Sequence, residues 1–266
     1  MSEPILLIEK SEGIAILMMN RPHVLNALSS ELLFTLKDAF EELKRDSGIE
    51  VVILGGVGRA FCVGLDFKEL AAMNGPFSES RLSQATFECF PAIESFDKPI
   101  IGADNGAAIT GGFEIALNCD MILATESAGF ADTHVRVGIL PGAGLSQKLS
   151  RIVGINRARE LSLTGKAINA RQAEAWGLVN RIVGEDDLIP ACRTLAKEIT
   201  ANDQTMVRNY HKLLNDGYRE NLSQGLLLEK EVHRETSRAA ATQVGADRLK
   251  KVKNRGRIQE VASQSL

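Results

Sequence analysis

The chain has 266 residues, 44% of them hydrophobic and 24% charged, with a formal net charge of −3. Such a composition supports one large buried core, alone or with an appendage, and excludes a disordered or membrane-embedded chain. The acidic balance, with a pI near 5.9, also argues against nucleic acid as a bulk partner.

Apolar runs are short: the longest, such as GIAILMM at 13–19, fall far below the roughly 20 residues that a bilayer span requires. The opening MSEPILLIEK carries no basic-then-apolar leader, so a cytoplasmic protein is expected. The stretches ILLIEK at 5–10 and GIAILMMN at 13–20 read as two strands joined by a tight Ser-Glu-Gly turn. Pro22 then breaks the strand pattern, and Ser29 or Ser30 is placed to cap a helix over ELLFTLKDAFEELKRD, whose apolar residues recur at three- and four-residue steps.

Next come two glycine-containing stretches, GRAFCVGLDF at 58–67 and NGAAITGGFEIALNCD at 105–120. Each follows an apolar run of strand character, VVILG at 51–55 and KPIIGADNG at 98–106, and each leads into helical patterning. Strand-to-helix turns of this kind aim unpaired backbone N–H groups outward. Two of them meeting at one pocket supply two converging amide donors, the arrangement that holds a developing oxyanion.

Strand–helix alternation continues to about residue 184, after which residues 186–246 turn to long helical patterns such as DLIPACRTLAKEITA and GLLLEKEVHRETSR. This order predicts an α/β core of about 190 residues followed by an all-helical C-terminal part. Apolar faces in that part lack a core of their own, so it packs on the main body or on a neighbouring subunit. Cys62, Cys89, Cys119 and Cys192 show neither metal-ligand spacing nor a secreted framework and are expected reduced, buried and structural. PGAG at 141–144 lacks the spacing and the Lys-Ser/Thr ending of a P-loop. Ser146 sits in no nucleophile elbow, and His23, His211 and His233 have no partners at metal-ligand spacing.

Four motifs in order, NRPHVLNALS at 20–29, GRAFCVGLDFKEL at 58–70, the Asn-Gly with GGFEIALNCD up to 120, and VGILPGAGLSQKLSRIVG at 137–154, resemble the successive signatures of the crotonase, or enoyl-CoA hydratase/isomerase, superfamily. The resemblance implies an α/β fold of ββα units coiled into a spiral with two roughly perpendicular sheets over residues 1–190, and a helical trimerisation region over 191–266. It implies a homotrimer or homohexamer, an acyl-CoA thioester substrate, no membrane or nucleic-acid partner, and no cofactor beyond the coenzyme A of the substrate.

By the same resemblance the two donors are the N–H groups of Leu65 and Gly111, the second reinforced by the positive end of a helix over 111–118. Glu114, three residues after Gly111, shares its helix face and points into the same pocket. It matches the first of the two catalytic glutamates of the hydratases, and a carboxylate in so apolar a stretch is costly to bury unless paired or used. The alternative is a helix N-terminal charge stabilised by the dipole.

One departure matters more than the match. Where the hydratases place their second glutamate, seven residues before Pro141, this chain has His134 in FADTHVRVGILPG. An imidazole titrates near neutrality and can serve as base or acid, with Glu114 favouring its charged form. If FADTHVRV is extended, Asp132, His134 and Arg136 share one face and Asp132 can orient the ring; alternatively, His134 fills the vacated space and bonds Asp132 or a carbonyl. Leu65, Asp66, Phe67 and Lys68 resemble the segment that meets the thioester and the adenine end of CoA, with Arg21 and Arg59 as further phosphate candidates. Met73, Phe77, Phe87 and Phe90, in the variable piece 71–96, suit an acyl chain or simply a core. The basic segment 248–257 can reach the CoA 3′-phosphate of an adjacent subunit or remain a solvated face.

Three functions are compatible with these residues. The first is an enoyl-CoA hydratase in which Glu114 activates water and His134 assists proton transfer. The second is an isomerase or acyl-CoA hydrolase with a single base, and the third a silent acyl-CoA binder.

Overall fold

The computed structural model describes residues 3–240. Contacts divide the chain into one unit ending at Arg208 and a second from Asn209.

The first unit opens on strands β1 (Leu6–Ser11) and β2 (Ile14–Met19), paired antiparallel. Ser11 is paired with Ile14, so the connection is two residues, Glu12-Gly13, rather than the three-residue turn expected. Both have positive φ, 52° and 80°, the combination that matches the twist of a two-residue hairpin. Helix α1 (Ser30–Arg45) begins at Ser29, whose hydroxyl accepts from the Leu32 N–H at 3.2 Å. It buries Leu32, Leu33, Leu36, Phe40 and Leu43 along one face. Its last carbonyls are met by Lys98, a buried lysine whose Nζ donates to the Leu43 and Asp46 carbonyls at 2.7 Å each.

Strands β3 (Val51–Gly56), β4 (Ile100–Asp104), β6 (Met121–Thr125) and β9 (Arg181–Val183) complete a six-stranded sheet in the order β1-β2-β3-β4-β6-β9, parallel from β2 onward. Every residue of β3 is buried, as expected of a central strand covered on both faces. One face carries Ile14, Ile16, Val51, Ile53, Ile101 and Leu123 against Leu188, Cys192 and Ala196 of helix α9 (Leu188–Thr200). The other carries Leu17, Val52, Leu54 and Ile100 into the main core with α1, helix α3 (Arg81–Glu94) and a second, three-stranded sheet.

That second sheet, β5-β7-β8, consists of β5 (Ala107–Ile109), β7 (Gly129–Ala131) and β8 (Ala167–Asn169). Short helices sit at its ends: α2 (Phe67–Ala71), α4 (Gly111–Ala116) and α5 (His134–Val137), with α6 (Leu145–Val153), α7 (Ile155–Thr164) and α8 (Ala170–Ala175) beyond. This is the α/β spiral with two sheets that the motifs implied.

FADTHVRV is not extended throughout: the strand ends at Ala131, and His134 opens a helical turn. Asp132 Oδ1 accepts from the His134 backbone N–H at 3.2 Å, the local bond by which an Asp starts a turn in competition with a ladder. Helices α10 (Gln204–Arg219) and α11 (Leu222–Ala240) close the described chain. The basic segment 248–257 lies outside the described residues. No helix among the described residues is long and apolar enough to cross a membrane.

Candidate active site

The two glycine stretches lie side by side. The Cys62 N–H donates to the Ala107 carbonyl at 3.0 Å and the Ile109 N–H to the Cys62 carbonyl at 2.9 Å, a parallel bridge that docks one turn on the other. Two glycines make the approach possible. A Cβ on Gly106 would lie 2.2 Å from the Arg59 carbonyl oxygen, and one on Gly112 only 1.9 Å from that of Cys62. Farther along, a Cβ on Gly64 would lie 3.2 Å from the Gly111 amide nitrogen, and one on Gly111 3.8 Å from that of Leu65. The two amides nominated from sequence are therefore neighbours. Among the described residues neither N–H has a hydrogen-bond acceptor.

Thr110 aims the second of them. Its φ of 52° and ψ of −108° fall where side chains are strained. Its N–H donates to the Ala131 carbonyl at 2.9 Å, and its hydroxyl bonds that of Thr133. Leu65 is set from the other side: the Leu28 N–H donates to the Gly64 carbonyl at 2.8 Å and the Asp66 N–H to the Leu28 carbonyl at 3.0 Å. Asn26, fully buried, donates to the Val57 and Ala60 carbonyls and pins the start of that turn.

Glu114 is buried, and its carboxylate is gripped by the PGAG stretch. Oε1 accepts from the Ala143 N–H at 2.9 Å, with the Leu145 N–H at the start of α6 adding a second bond. Burial pushes its pKa upward against those two amides and the nearby His134. His134 is buried beside it, with Nε2 3.9 Å from Glu114 Oε2 and Nδ1 2.7 Å from Asp132 Oδ1. For Asp132, burial favours the neutral acid, but hydrogen bonds from His134 and Ser162 outweigh it and hold the carboxyl below the usual carboxylate range.

A cavity of about 600 Å³ opens over these groups, with Leu65, Gly111, Glu114 and His134 on its wall. Leu70, Phe77, Phe87, Phe90, Val137, Ile139 and Leu140 make the remainder apolar. Asp66, Phe67 and Lys68 also line it. Asp66 doubles as the N-cap of α2, accepting from the Lys68 N–H at 2.9 Å and from Arg21 at 2.9 Å. Arg21 thus faces Asp66 and the Ala27 carbonyl, and neither it, exposed Arg59 nor Met73 lines the cavity. Among the residues that sequence reasoning missed, Thr110, Thr133 and Ala143 have the clearest jobs. PGAG carried a signal for Ala143, since its glycines mark a tight turn before a helix, but only the fold brings that turn to Glu114.

The wall thus brings together two amides without an acceptor among the described residues, a buried carboxyl group and an imidazole. Such a set can stabilise an enolate and exchange protons at the carbon next to a carbonyl.

Comparison with known proteins gives the chain its relatives. The family described as enoyl-CoA hydratase/isomerase matches residues 9–255. A probable peroxisomal enoyl-CoA hydratase 1 of Arabidopsis thaliana is 43% identical over 231 residues, covering 86% of each chain. The crotonyl-CoA hydratase of Syntrophomonas wolfei is 35% identical over 228 residues, 84% of this chain and 86% of that one. Among solved structures, an enoyl-CoA hydratase from Bacillus anthracis superposes with a TM-score of 0.83 at 31% identity, covering 94% of this chain and 95% of that one.

Proposed function

The chain belongs to the enoyl-CoA hydratase/isomerase family, and we propose that it works there as a hydro-lyase, adding water to a trans-2-enoyl-CoA to give the 3-hydroxyacyl-CoA. The observation that carries this reading is the pair of proton-exchanging groups, Glu114 and His134, 3.9 Å apart in the cavity that also takes in Leu65 and Gly111. Addition of water needs two such groups, one for the water and one for the α-carbon; a one-base isomerase or hydrolase leaves the imidazole idle, and a pure binder leaves both idle.

In this reaction the thioester oxygen accepts from the Leu65 and Gly111 amides. Glu114 takes a proton from water as its oxygen bonds to the β-carbon, and the electron pair moves through the α-carbon onto the thioester oxygen. Collapse of that enolate draws a proton to the α-carbon from His134. Fixed amides avoid the solvent reorganisation that water would need, and each such donor lowers the barrier by about 3–4 kcal/mol. The acyl chain runs along Phe77, Phe87 and Phe90, while the adenine end of CoA meets Asp66, Phe67 and Lys68. Unpaired cysteines suit a reducing compartment, here the cytoplasm, and the C-terminal region 191–266 serves a trimer or hexamer.

Loss of enoyl-thioester absorbance on incubation with crotonyl-CoA tests the proposal. Wild-type protein turns the substrate over, and Glu114→Gln and His134→Ala each reduce kcat by about 10²–10⁴. Full activity in His134→Ala would return that residue to packing, and no turnover by the wild type on crotonyl-CoA or longer enoyl thioesters would remove the hydratase reading.

A further inference from the structure

Asp132 has no contact with the cavity: it is 2% exposed and absent from the cavity wall. Its carboxylate nevertheless accepts from His134 twice, from the backbone N–H at 3.2 Å and at Nδ1 at 2.7 Å, and from the Ser162 hydroxyl on α7. An acceptor-only partner at Nδ1 requires a proton there. Nε2 is then the ring's exchanging position, and it is the nitrogen that faces Glu114.

From this arrangement we infer that Asp132 is a positioning residue: anchored by Ser162, it keeps Nδ1 of His134 protonated and directs all proton traffic through Nε2, so that an imidazole takes over the work of a second carboxylate. The inference rests on the hydratase reading for its chemistry but not for its geometry. Each turnover begins with Glu114 as carboxylate and His134 as imidazolium, whose charge Asp132 offsets. It ends with Glu114 protonated and His134 neutral, since Glu114 has gained the water proton and His134 has given one to the α-carbon. One proton returning from Glu114 Oε2 to His134 Nε2 restores the starting state, and across 3.9 Å a bridging water carries it. With Asp132 lost, the neutral ring is free to carry its proton on Nε2, and the return step has no acceptor.

Two measurements test this, one of them independent of activity. In ¹⁵N NMR of histidine-labelled protein, at a pH where the ring is neutral, His134 shows the Nδ1–H tautomer; Asp132→Asn loses that preference. In kinetics Asp132→Asn lowers kcat by about 100-fold or more with little change in KM. Asp132→Asn combined with His134→Ala is no slower than His134→Ala alone, because the carboxylate acts through the ring. Ser162→Ala gives a smaller loss, about tenfold. An Nε2–H tautomer in the wild type, or additive losses in the double variant, would overturn the inference. Should crotonyl-CoA not be turned over at all, the hydratase reading fails while the NMR result still decides the role of Asp132.

Discussion

Single buried groups set how this protein answers to pH, and Asp104 is the sharpest case. It ends β4 with its side chain wholly buried; Oδ1 accepts from the Gly106 N–H at 3.2 Å, and Oδ2 has no partner among the described residues. Burial pushes its pKa up to about 8, so the folded protein holds the proton at neutral pH. An unfolded Asp ionises near 3.9. Between those values the folded state binds the proton and the unfolded state does not, so stability falls as pH rises. The contribution is complete below about pH 4, declines by up to about 1.4 kcal/mol per pH unit, and levels off above about pH 8. Asp104→Asn keeps an acceptor for Gly106 and cannot ionise. Chemical denaturation from pH 4.5 to 7.5 should therefore show the variant gaining on the wild type throughout that range; parallel pH profiles would place the proton elsewhere.

At the level of elements, the site depends on how tightly α4 is pressed against the turn that precedes α2. Gly112 is the contact point, because a Cβ there would stand 1.9 Å from a backbone oxygen that the Cys62–Ala108 bridge holds in place. Gly112→Ala must therefore separate the two turns, with an expected cost of about 3 kcal/mol or more in thermal or denaturant unfolding. Gly142→Ala, where nothing stands within 4 Å, is the control and should leave stability unchanged. This contact also explains how much was legible beforehand. Glycines in strand-to-helix turns advertise a close backbone approach, and it is the resemblance of those stretches to the family's motifs that singles out Leu65, Gly111 and Glu114 within them. β5, β7 and β8 carry no local signal, since AAI, GFA and AIN are too short and too poor in branched residues to show a period of two. For FADTHVRV the sequence offers an extended arrangement only as a condition for Asp132 to orient His134. Asp132 reaches His134 instead by capping the turn that His134 opens. The grip of Ala143 on Glu114 is a product of the fold alone.

For the molecule as a whole, the informative surface lies in the second unit. On α10, Tyr210 and Leu214 stand one turn apart and are 65% and 59% exposed; on α11, Leu222 and Leu226 repeat the step at 79% and 48%. Scattered apolar residues need no explanation, but helical stripes left exposed among the described residues suit a partner's surface. If other copies of this chain are the partner, as proposed above, a head-to-tail contact closed around a symmetry axis covers such stripes without leaving an open end. Sedimentation velocity should then find a trimer or hexamer for the wild type. Leu214→Glu with Leu226→Glu places two charges on those stripes and should shift the protein to smaller species with a lower melting temperature. A wild type that sediments as a monomer at micromolar concentration would refute the assignment. So would a double variant that assembles unchanged, because a carboxylate sealed in an apolar contact is too costly to be silent.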